Sequence, residues 1–240
     1  MRALCLVLVA AAGCGAGSVN GADAAPDADD GPFSFFVTSL ATMRAQSGSQ
    51  DGFGGDLGGL AGADEICRQA AAAVGFGDKT WRAFLSVTDG GDGQPVNAID
   101  RVGTGPWYDR AHRLVAADAA GLVQNRPDGD PAIMNDLPDE TGAPLSLLGD
   151  AHDVMTGSDT EGHLLFDDPV TTCQDWTSAV GPGSEGQVAA GHSWPADSGS
   201  NWIAAHALRG CAAGVNLIQD GPGTGDCVGC SGGYGAIYCL

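Results

Sequence analysis

The chain has 240 residues, with 10 Lys and Arg set against 30 Asp and Glu, for a formal net charge of −20. A surface of that sign repels phosphate backbones and anionic headgroups, which excludes a nucleic-acid-tracking role. The length allows one well-cored domain once the N-terminal segments are set aside.

In chain order the first element is an export leader. Arg2 is a minimal charged n-region, and residues 3–12 form an apolar stretch of signal-peptide length before Gly13 and Cys14. It is far shorter than the roughly 20 apolar residues that span a bilayer. An ordinary signal peptide cut near Gly17 is one reading. The other is a bacterial lipoprotein signal, which the run Val9-Ala10-Ala11-Ala12-Gly13-Cys14 resembles, although Ala11 stands where such signals usually carry Leu. That resemblance makes residues 1–14 the signal with Cys14 as the lipidated residue. Because Gly15 rather than Asp follows Cys14, it also implies anchoring to the outer membrane of the cell envelope. Residues 15–31 are small and acidic, too poor in apolar side chains to offset ordering entropy, and read as a disordered tether.

The body, residues 32–240, opens with Phe33 to Leu40, an aromatic and β-branched run that predicts a strand. After a Gly-rich loop, Ala63, Ile66, Cys67, Ala70 and Val74 recur at helical spacing, which predicts one amphipathic helix with Cys67 on its buried face. Short strands are expected at Trp81 to Val87, Pro106 to Tyr108 and Arg113 to Ala116, with a closing strand at Tyr234 to Leu240. Between Asp118 and Gly210 the chain reads as loop, punctuated by Gly, Pro and Asp. A loop of that extent counts against an assignment unless cross-links hold it. Six cysteines of the body, Cys67, Cys173, Cys211, Cys227, Cys230 and Cys239, offer up to three disulfides in an exported chain, with 15 possible connectivities. Cys227-Val-Gly-Cys230 also has a redox or zinc reading, but it lacks a βαβ setting, and structural disulfides are expected.

The strings FFVTS, GGDLGGLAGADEICRQAAA, TWRAFLS, TGPWYDRAHRLVA, MTGSDTEGH, TCQDWTS and AIYCL resemble a bacterial family of exported domains of unknown function. Those domains are similar to C-type-lectin-like domains and to the endostatin module of collagens. The resemblance implies an α+β, C-type-lectin-like fold: paired first and last strands, one main helix, and a long irregular middle. It implies an outer Cys67–Cys239 disulfide and an inner Cys173–Cys230 bridge, with Cys211–Cys227 as an extra local one. Cys173 with Cys211 or with Cys227 stays open. The calcium and sugar motifs of the lectin-like class are not matched. Gln94-Pro95-Val96-Asn97 lacks the required acid, and Trp176 is followed by Thr177-Ser178 rather than two ligands.

Candidate sites are correspondingly sparse. Asp89-Gly-Gly-Asp92 and Asp128-Gly-Asp130 could offer oxygens to Ca²⁺, though neither fits an EF-hand, and a solvated acidic surface is the plainer reading. Trp81, Trp107 and Trp176 are also candidates for sugar stacking, but Trp81 and Trp107 sit in strand contexts, and Trp194 and Trp202 are the better candidates for a ligand platform. His112, His152, His163, His192 and His206 are scattered without ligand spacing and read as loop residues. No catalytic motif is present, so the expectation is no enzyme and no resident cofactor. The expected function is a lipid-anchored, non-catalytic module that binds a glycan or surface protein through its long loops. A structural envelope lipoprotein is the alternative. An envelope hydrolase comes third and would be reopened by a buried, convergent cleft of His and carboxylate.

Overall fold

The computed structural model describes residues 32–180, 188–218 and 225–240. Residues 1–31, with the expected export signal, Cys14 and the expected tether, lie outside the described residues. The protein is a mixed α and β domain with seven short strands among the described residues: β1 (Phe36–Val37), β2 (Trp107–Tyr108), β3 (Leu114–Ala116), β4 (Asp153–Met155), β5 (Ala189–His192), β6 (His206–Ala207) and β7 (Gly233–Cys239). Five of them form one sheet in the order β1-β7-β4-β5-β6, and β2 and β3 pair separately. β7 is buried along its whole length and runs antiparallel to β1 and parallel to β4. First and last strands of the body are therefore neighbours.

The Phe33–Leu40 run is a strand for two residues only. Ser39 interrupts it by capping a helix, α1 (Leu40–Ser47), its hydroxyl accepting from the Thr42 amide. Glu140 fixes this corner: its carboxylate accepts from the Ser39 amide and hydroxyl and from the Thr42 hydroxyl. The expected amphipathic helix forms as α2 (Gly59–Ala73), burying Ala63, Ile66, Cys67 and Ala70. Cys67 reaches Cys239 at the end of β7, a disulfide with a sequence separation of 172. In the chain-entropy account so long a closure contributes roughly 5 kcal/mol.

The other two disulfides correct the expected pairing. Cys173 bonds Cys211, and Cys227 bonds Cys230, in place of Cys173–Cys230 and Cys211–Cys227. The reason lies in the backbone around Cys173. Cys173 to Trp176 make one left-handed turn, with φ of 54°, 56°, 53° and 64°, a conformation that costs L-residues about 1–2 kcal/mol each. Three anchors hold the turn. Trp176 is fully buried and donates to the Ser86 carbonyl, the Asp175 carboxylate accepts from the Thr88 amide and hydroxyl, and Cys173 is tied to Cys211. Cys227 and Cys230 instead close their own turn.

The segment between Asp118 and Gly210 is less loop-like than its composition suggests. It supplies β4, β5 and β6, and Trp202 packs at the centre of the core, 4.8 Å from Tyr238 and 5.4 Å from Phe84. Gly191 makes that possible, because a Cβ there would lie 1.6 Å from the Trp202 carbonyl oxygen. Trp81 to Val87, in contrast, contributes isolated bridges at Ala83 and Val87 rather than a strand. Among the described residues no helix is long and apolar enough to cross a membrane.

Candidate functional site

Three of the five histidines meet at the open side of the five-stranded sheet. Asp153 opens β4 opposite His192, which ends β5, while His206 begins β6 opposite Ala190. His152 immediately precedes β4, held by its amide to the Gly232 carbonyl and by its carbonyl to the Ser193 amide. Arg126, itself buried, donates to the His192 and Ser193 carbonyls and locks the end of β5. The rings of His152, His192 and His206 lie 4.4, 5.0 and 5.2 Å apart, centroid to centroid. One nitrogen from each falls within 4.8 Å of the others.

Two carboxylates complete the cluster. Asp150 Oδ1 lies 2.6 Å from His152 Nδ1, which leaves Nε2 of that ring pointing at Asp153 Oδ1, 3.5 Å away. Gly232 leaves room for this arrangement, since a Cβ there would sit 2.5 Å from His152 Cε1. His152 and His192 are each 6 % exposed and Asp153 2 %, whereas His206 is half-buried. Burial is the main cause of raising the Asp153 carboxyl above the usual carboxylate range, opposed by His152 and His206. His192 is pushed down to about 3 by burial, then by His152, His206 and Arg126, so its ring stays neutral with a lone pair available. His192 Nδ1 is buried without a hydrogen-bond partner, and the Ser231 hydroxyl helps hold the buried Asp153 carboxyl down.

A shallow apolar groove of about 270 Å³ adjoins the cluster. Leu165, Phe166, Ala189 and the strip Ala204 to Ala207 line it, with His206 common to groove and cluster. Larger clefts lie around Asp64 and Trp81 and around Arg101 and Trp107, with Arg82 common to both, but the Asp64 carboxylate is already bonded to Arg82, Arg101 and the Ala83 amide.

The residues singled out from the sequence fare differently. Trp202 is fully buried, its indole donating to the Leu122 carbonyl, so it is core and not a platform. Trp194 is half-buried and edge-on to His152 at 6.3 Å, a wall of the cluster. Asp130 caps the short helix Pro131–Met134 through the Ala132 amide, and neither it nor Asp128 belongs to a gathered set of metal-ligating groups. Asp89 folds onto the Gly91 and Gly93 amides, which lower its carboxyl. Asp159, Glu161 and His163 also gather, but on an exposed turn where Asp159 accepts from the backbone of the other two. The sequence does not show the histidine cluster because its members lie in or beside three strands separated by long loops, with no shared motif.

Compared with models of known protein families the chain matches none, and compared with curated proteins it also matches none.

Proposed function

We propose that the protein is an exported, lipid-anchored binding module of C-type-lectin-like architecture, non-catalytic, that captures a protein segment at the cell surface. The observation that carries this reading is the groove beside His206. Phe166 and Leu165 stand 52 % and 38 % exposed at its rim, with alanine methyls as its floor. An adjoining pair of large apolar side chains on so acidic a chain favours a partner that covers them. The chemistry supports a peptide over a glycan. The groove offers methyl groups rather than convergent hydrogen-bonding groups, and the two tryptophans suited to stacking on sugars are buried or half-buried. β6 is an edge strand, so an extended segment can align along it while a side chain enters the groove.

Selection of a displayed random-peptide library on the full-length protein tests this. Enriched peptides should share an apolar side chain and lose at least tenfold in affinity when Leu165→Ser and Phe166→Ser are combined. Peptides indifferent to both substitutions, or preferential binding on a glycan array, would overturn the reading. Failure to select any ligand would leave the structural envelope role. The convergence of His152, His192 and Asp153 favours a second reading, an envelope hydrolase. Turnover of activated esters by the wild type, abolished in His152→Ala, would establish it.

A further inference from the structure

We infer that His152, His192 and His206 form a binding site for one divalent transition-metal ion of the zinc class, independent of what the groove binds. Three features point to a cation. The first is donor chemistry: imidazole is the ligand these ions prefer, and three nitrogens within 4.8 Å can converge on one centre. Donors around a tetrahedral ion stand about 3.3 Å apart at metal–nitrogen distances of ~2.0–2.1 Å, so small rotations of the rings would close the set.

The second is the state of the unoccupied atoms. His192 Nδ1 is buried with nothing to bond, a cost that protein interiors rarely leave uncompensated. On His152 the Asp150 carboxylate lies 2.6 Å from Nδ1, which turns Nε2 toward the other imidazoles and Asp153 as the nitrogen that would face an ion. This is the carboxylate–histidine arrangement that orients a metal ligand and raises its basicity. The third is charge. Asp153 is 2 % exposed, its carboxylate faced by the Ser231 hydroxyl and standing 3.5 Å from His152 Nε2. A cation on that nitrogen would supply the missing counter-charge. Asp150 and Asp153 are thus positioning and charge-balancing groups, and the three imidazoles are the ligands. Three protein ligands leave one position of a tetrahedral ion open, on the side of half-buried His206.

The competing arrangement is an imidazolium at His152 held between Asp150 and Asp153 with no metal. Calorimetric titration of the chelator-stripped full-length protein with zinc chloride separates the two. One ion per chain with a micromolar or tighter dissociation constant is expected, together with tetrahedral-intensity d–d absorption when cobalt(II) is used instead. His206→Ala, at the half-buried sheet edge, should weaken zinc at least tenfold while leaving the near-UV circular dichroism unchanged. Asp150→Asn should weaken it by about 10–100-fold. No uptake at millimolar zinc, or uptake unaffected by both His206→Ala and Asp150→Asn, would overturn the site. Peptide capture by the groove can fail without affecting either result.

Discussion

The two flanks of β7 are built on opposite principles. On one side β1 and α2 pack hydrocarbon: Phe35, Phe36, Ala63, Ile66 and Ala70 close the core, and Cys67–Cys239 clasps it. On the other side His152, Asp153 and His192 are buried nearly as deeply, with His206 half-buried at the sheet edge, and His192 Nδ1 is left without a hydrogen-bond partner. Natural interiors seldom tolerate orphaned polar atoms unless something else satisfies them. The first flank closes with its own hydrocarbon and a disulfide, while the second carries the groups to which we assign a metal ion.

This contrast can be broken experimentally. The largest effect belongs to the apolar flank: replacing Cys67 and Cys239 together by Ala should remove roughly 5 kcal/mol, read as a lower urea midpoint. Next, Trp202→Ala should cost about 3–5 kcal/mol by emptying the core between Phe84 and Tyr238. Equal stability after either change would mean that the clasp side does not carry the fold. Replacing Cys227 and Cys230 by Ser should cost less, about 2 kcal/mol, because a sequence separation of 3 closes little chain.

Acid distinguishes the polar flank. His192 titrates near 3 when folded, against 6.5 ordinarily, so the unfolded chain binds a proton that the folded chain refuses between those values. The metal-free protein should therefore keep this share of its stability above about pH 6.5 and lose it progressively toward pH 3. Thermal melts across that range should flatten in His192→Gln, and an unchanged profile would remove the buried neutral imidazole from the account. The smallest effect is at the acidic loops. Asp130→Ala should cost about 1 kcal/mol through the lost cap on Ala132, and millimolar calcium should barely move the melting temperature of either protein.

What could be read in advance follows from how local each signal is. The period of Ala63, Ile66, Cys67 and Ala70 predicts α2 because helix packing needs only neighbours four residues away. Phe33 to Leu40 misled at one residue: Ser39 can extend a strand or cap a helix, and the distant Glu140 decides for the cap. β5 and β6, Ala-Ala-Gly-His and His-Ala, carry no strand signal, since glycine and alanine have little intrinsic preference for the sheet. They become strands because Gly191 lets Trp202 approach, a contact no local pattern announces. Trp202 reads from the sequence as a surface candidate for the same reason.

The amino-acid sequence by itself determines the acidic surface, the amphipathic α2, the terminal strand β7 and the presence of paired cysteines in the body. Each of these is a property of composition or of short-range period. Tertiary structure alone decides which cysteines pair and which histidines meet. Cys173 is delivered to Cys211 by a left-handed turn that its own residues disfavour, and His152, His192 and His206 are brought together by strand register across long loops. Both outcomes depend on distances in space between residues remote in the chain, and those distances are set only when the core has packed.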